Sequence, residues 1–424
     1  MSTTPDQPRE AGRPRWWVAG LSLCVLVAAA LVGWAVVRDD AYVAPTPRAV
    51  RPSVAPAGAG TTLAAFERAV RQRDPDAARG LAPGGDDGAG GLLAALAANG
   101  EALRVTDFTL RYVDDDGAPT ADGAWTAAVD ATWRFRGFDT VSARAEITAH
   151  LVDEGDRVAL AGFGGGDRVS PVWLAGPVDV RRTSSTLVLV ADSVAGADRY
   201  VARAEAAVPA VRAVLPTWRR GLVVEVPASA QGLEQALGAD AGSYDQIAAV
   251  TAAADGSAAP RSAVHVFANP EIFGGLRRTG AQVVMSHEAT HVATGAWDSR
   301  APLWLLEGFA DYVALRDVAL PVERSAAQII ATVRRSGSPR ALPDAAAFGA
   351  HTPRLGATYE SAWLACRLIA EDAGEAALVT LYRAVDRGRS VGPALAAATG
   401  LSVAGLTGRW RDYLATLADA AGAA

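Results

Sequence analysis

Residues 283–315 read VVMSHEATHVATGAWDSRAPLWLLEGFADYVAL. They hold His287, Glu288 and His291 in an H-E-x-x-H pattern, followed by Glu307 and Asp311 in E-G-F-A-D-Y. Side chains four residues apart on a helix lie about 40° apart around its axis, so the two imidazoles share one face. That face can offer two nitrogens to one metal ion while Glu288 points at a water on the ion. Val283, Val284 and Met285 lead in with apolar side chains, as a buried helix should. A polar His-Glu-x-x-His face on such a helix is costly unless a ligand satisfies it. Glu307 opens a second expected helix over residues 302–315, folded back beside the first by a turn at 295–301. Asp311, four residues beyond Glu307, shares its face and can accept the free ring N–H of a ligand histidine, which fixes the tautomer.

Working outward, the 424 residues suffice for two or three domains with sizeable cores. The net charge of −6 gives no broad basic field, which argues against a nucleic-acid partner. All 40 basic residues are arginine, so arginine usage reflects composition before function. Cys24 and Cys366 are the only cysteines. A disulfide framework and a cysteine-rich zinc site are thereby excluded, and any metal must use histidine and carboxylate.

Residues 16–37 carry no charged side chain. As a helix at ~1.5 Å per residue this run spans about 33 Å, against ~30 Å for a hydrocarbon core. Trp16, Trp17 and Trp34 sit near its ends, where indoles favour the membrane interface. Arg9, Arg13 and Arg15 in front, against Arg38-Asp39-Asp40 behind, predict a single-pass anchor at the cell membrane. Residues 1–15 then form a cytoplasmic tail, and the bulk of the chain is extracytoplasmic. A cleaved signal peptide is the rival reading, but the run exceeds the usual signal core and no small-x-small site is obvious after it. Residues 38–60, with Pro45, Pro47, Pro52 and Pro56, read as an extended linker.

The fold class expected beyond the linker is α+β. Over residues 61–172, helical spacing from Leu63 to Val70 and a short helix at 92–98 precede alternating strands at 105–113, 123–135, 140–151 and 157–162. The pattern resembles the cone-like fold of the nuclear-transport-factor-2-like proteins. Residues 178–424 form the second domain. Strands at 186–191, 222–226, 246–252 and 262–267, with helices at 197–215 and 230–237, imply a mixed sheet covered on one side. Helical segments at 322–335, 359–371, 376–386 and 401–417 complete a C-terminal half without strands.

His287-Glu-Ala-Thr-His291 and Pro302-Leu-Trp-Leu-Leu-Glu-Gly-Phe-Ala-Asp-Tyr312 together resemble the gluzincin zinc metallopeptidases, in particular the peptidase MA-like group. The resemblance implies a Zn2+ ion held by His287, His291 and Glu307, with Glu288 as base and Asp311 behind a ligand histidine. It also implies a peptide or protein substrate laid along residues 262–269 as an edge strand, where backbone can pair with backbone. The aminopeptidase branch carries a Gly-x-Met-Glu-Asn segment, whereas residues 266–270 here read Val-Phe-Ala-Asn-Pro. An endopeptidase-like activity therefore fits better. A zincin fold that only binds, and a zinc hydrolase of a non-peptide bond, are the competing classes.

Gluzincins supply an oxyanion donor from the helical half. Tyr359 is the first candidate for that role and His351 the second. Tyr312 is expected beside the site, Trp297 and Trp304 in packing, and His150 and His265 away from any metal.

Overall fold

The computed structural model describes residues 56–257, 262–349 and 352–423. The expected tail, the anchor at 16–37 and nearly all of the linker lie outside the described residues. Among those described, no single helix is long and apolar enough to cross a membrane. The architecture is α+β, with two sheets and many helices.

The first region opens earlier than expected. Helix α1 (Pro56–Gln72) begins inside the stretch read as linker. Its Pro56 sits in the first turn, where a missing N–H costs nothing. Helix α2 (Pro75–Arg79) follows, then α3 (Asp87–Ala102), which runs through glycines read as a break. Asp86 caps α3 by accepting the Ala89 N–H, and burial of Leu93, Leu96 and Ala97 does the rest.

Strands β1 (Val105–Asp115), β2 (Ala124–Phe135), β3 (Ala143–Asp153) and β4 (Val158–Phe163) form an antiparallel meander in that order. Breaks in the β1–β2 register at Thr106/Thr109 and Tyr112/Asp114 bend the sheet, and Asp107 takes a positive φ of 56° at the first of them. Leu63, Phe66, Leu93 and Leu96 of the helices share one core with Val129, Trp133 and Ile147 of the sheet.

Short helix α4 (Val172–Ala175) and strand β5 (Val178–Arg182) follow, neither of them expected from the sequence. The second sheet then comprises β5, β6 (Thr186–Ala191), β7 (Leu222–Val226), β8 (Ala249–Ala253) and β9 (Val264–Ala268), in the order β5-β6-β7-β9-β8. Helices α5 (Ala197–Val214) and α6 (Ala230–Leu237) lie between successive strands, and β6, β7 and β9 run parallel.

Two expectations are corrected here. The sheet is covered on both faces, not one. Val188, Val190, Val224 and Val266 pack towards the helices, while Leu187, Leu189, Val223 and Phe267 share the core of the first region. Burial on both faces is why these strands read as continuous apolar runs. Residues 262–269 are also not the edge. Strand β9 lies between β7 and β8, and β8, antiparallel to β9, is the edge strand at that end of the sheet.

After α7 (Pro270–Phe273), α8 (Arg278–Thr294) carries the H-E-x-x-H residues and α9 (Leu303–Leu315) carries Glu307. Helices α10 (Val322–Ser325), α11 (Ala327–Ser336), α12 (Leu355–Ala373), α13 (Glu375–Asp386), α14 (Val391–Thr399) and α15 (Val403–Ala423) complete the helical half. Of these, α14 had no counterpart in the sequence reading, because Val-Gly-Pro-Ala-Leu-Ala-Ala-Ala has no clear apolar period.

Candidate metal centre

Helix α8 turns Ala281, Met285 and Ala289 into the core. It ends at Gly295, whose φ of 68° suits a left-handed cap, and the Gly295 N–H donates to the His291 carbonyl. The chain then reverses into α9. Close approach of α9 to α12 depends on Gly308, next to Glu307. A Cβ at that position would lie 2.4 Å from the Ala362 carbonyl oxygen. The E-G pair thus sets a carboxylate beside the one residue that lets its helix seat.

The expected ligand residues converge. His287 Nε2 and His291 Nε2 are 2.9 Å apart, and Glu307 Oε2 lies 3.2 Å from the first and 3.4 Å from the second. Tetrahedral bonds of ~2.0–2.1 Å separate ligand atoms by roughly 3.3 Å, so the three atoms stand at the spacing a zinc ion needs. These residues can hold a metal ion. On the far side of the ring, His287 Nδ1 lies 2.7 Å from Asp311 Oδ1, which holds Nε2 towards the common point.

The electrostatics ask for positive charge at that point. Burial works against a charged His287, but Asp311, then Glu307 and Glu288, hold its pKa well above the ordinary value. Burial likewise works to raise the Glu307 carboxyl, and the two imidazoles overcome it and hold the group well below the usual carboxylate range. A proton held on His287 answers these carboxylates. A divalent cation would answer the same field.

Glu288 is almost fully buried and reaches β8. Thr251 Oγ1 lies 2.7 Å from Glu288 Oε2 and 3.1 Å from the Glu288 carbonyl. The hydroxyl therefore ties the carboxylate to that edge strand. Sequence reasoning passed over Thr251. Its only signal is the strand alternation that turns Ala249, Thr251 and Ala253 to one side, and that signal needs the strand order to be useful.

A pocket of about 300 Å³ opens over these groups, lined by Ile247, Thr251, Trp297, Glu307 and Tyr359 among others. Tyr359 is thus brought to the site. Its ring centroid is 6.4 Å from that of His287, and Phe348 packs edge-on against it at 5.3 Å. Burial raises the Tyr359 pKa, and Glu307, Asp311 and Glu288 raise it further, so the phenol stays protonated and able to donate. Trp297, expected only to pack, stands on the pocket wall.

The other residues separate cleanly. Tyr312 donates to Glu375 Oε2 at 2.8 Å, while Trp304 is buried in the core. His150 Nε2 is 2.8 Å from the Gly164 carbonyl. His265 is sealed between Glu225 and Asp139. His351 lies outside the described residues. Compared with protein-family models and with curated proteins, the chain matches none at a significant level.

Proposed function

We propose that the chain is a zinc-dependent peptidase of gluzincin type, endopeptidase-like, held at the membrane by residues 16–37 with its catalytic region extracytoplasmic. The observation that carries the reading is the convergence of His287, His291 and Glu307 beside Glu288, under the edge strand β8. A zinc ion bound there supplies Lewis acidity and a nucleophilic water at neutral pH. The protein's own residues would do the rest. Glu288 takes the proton of the attacking water and hands it to the leaving amine. Tyr359, protonated and facing the same pocket, donates to the developing oxyanion.

Strand β8 would align an extended peptide through its unpaired backbone groups. This moves the expected substrate edge from residues 262–269 to β8. The segment leading into it reads Ile247-Ala-Ala-Val-Thr-Ala-Ala253, which again lacks the aminopeptidase motif.

Metal analysis of the full chain beside a quenched-peptide library assay tests this. About one zinc per chain, with hydrolysis abolished in Glu288→Gln, is the expected result. Protein purified without chelators that takes up no zinc would overturn the site. Zinc uptake with no cleavage of any peptide would turn the reading to a binding protein of zincin fold, or to hydrolysis of another bond.

A further inference from the structure

Behind the metal pocket the surface continues. Trp297 lines both that pocket and a second cleft of about 360 Å³, between Phe138–Val141 of the first region and the end of α8. Arg220, Val292 and Gly295 line both this cleft and a third recess of about 500 Å³. The third recess holds Arg219, Arg220, Arg383 and Arg387 against a single acid, Asp386. None of the four forms a salt bridge among the described residues, although the whole chain carries more acids than bases.

A bland explanation is that arginines gather here because α5, α8 and α13 all end here and present carbonyls. It accounts for part of the cluster. Arg212 donates to the Arg220 carbonyl and stacks on Trp218, while Arg383 donates to Thr217. Arg219, Arg220 and Arg387 are exposed, and no hydrogen bond from their guanidinium groups is present among the described residues. Their charge is available to a ligand.

We propose that this recess binds carboxylate side chains of the substrate polypeptide, a few residues from the bond cut at the metal centre. The proposal rests on the peptidase reading. Gly295 lies four residues beyond His291, ~6 Å along a helix. Two or three extended residues at ~3.3 Å each would bridge a gap of that order. A polypeptide is favoured over a free anion because the second cleft joins the recess to the metal pocket, sharing Arg220, Val292 and Gly295 with the one and Trp297 with the other.

The test uses full-length, zinc-loaded Glu288→Gln, which should bind without cutting. Two fluorescent peptides of equal length, one rich in glutamate and one with glutamine in its place, are titrated by anisotropy. The acidic peptide should bind at least roughly tenfold tighter, with the advantage shrinking as salt rises. Arg219→Glu with Arg220→Glu should erase that advantage, and Arg219→Gln with Arg220→Gln should reduce it, with zinc content reporting on folding. Equal binding of the two peptides, or an acidic preference that survives charge reversal, would overturn the proposal. So would displacement of the peptide by inorganic phosphate of equal affinity. Failure of the peptidase reading looks different: acid-selective binding would persist while wild type cuts nothing.

Discussion

His265, fully buried, and His287, partly buried at the floor of a pocket, both sit between carboxylates, and the two clusters behave as opposites. At His265 every lone pair and proton is matched. Nδ1 faces Glu225 Oε1 at 2.6 Å and Nε2 faces Asp139 Oδ1 at 2.9 Å, while Phe135 stacks on the ring. Asp139 also accepts the Phe135 N–H, so its second oxygen is used as well. At His287, Nδ1 is matched by Asp311, while Nε2 and His291 Nε2 share the single oxygen Glu307 Oε2. Its Nε2 points at the same place as His291 Nε2 and Glu307 Oε2, and a pocket opens above them. Composition does not separate a structural imidazole from a ligand. What separates them is whether the polar atoms pair off or aim together.

The largest test of that contrast is removal of a converging atom. His291→Ala should abolish zinc uptake and hydrolysis together, read by metal analysis and peptide cleavage. Glu288→Gln removes no ligand, so zinc should stay near one per chain while kcat falls by about 10³. Loss of zinc in Glu288→Gln would mean that Glu288 serves the fold of the site and not its chemistry.

The matched cluster should answer in stability instead. His265→Ala leaves Asp139 and Glu225 facing each other in a sealed space, which should cost about 3–5 kcal/mol in denaturant unfolding. The folded fraction should still bind zinc. Burial works to lower the His265 pKa, but Asp139 and Glu225 prevail and push it up to about 10, against 6.5 for the free side chain. The folded state therefore holds a proton that the unfolded state releases between those values. The contribution of His265 is full below pH 6.5 and fades as pH rises towards 10. Wild-type stability should decline across that window, and His265→Ala should flatten the decline. An equal slope in both proteins would show that the cluster is not the origin.

The contrast also explains what could be read from the chain alone. His287, Glu288, His291, Glu307 and Asp311 come from two consecutive helices, so helical periodicity places them on facing surfaces before any tertiary contact is known. His265, Glu225 and Asp139 come from two strands and a turn far apart in the chain, and no period links them. The same limit misplaced the sheet edge. Strands β8 and β9 form a hairpin, and hairpin patterns do not say which partner faces β7. The stronger apolar character of Val-His-Val-Phe-Ala over Ala-Val-Thr-Ala-Ala was the available clue. Alternation did deliver the first meander, because each of its strands pairs with its neighbour in sequence.

Thr251 offers the finest probe, since it joins the two kinds of order. Its hydroxyl is matched to Glu288, yet the carboxylate it holds belongs to the open cluster. Thr251→Val keeps the shape and the β-branch and deletes the hydrogen bond, leaving β8 intact. Glu288 would then sample orientations away from the metal point, and kcat should fall roughly tenfold with KM and zinc content little changed. Thr251→Ser restores the hydroxyl and should recover most of the rate. A fall in KM terms alone, or no rescue by serine, would place Thr251 with the strand's grip on substrate and not with the base. That outcome would make the tie between Glu288 and the edge strand one of packing.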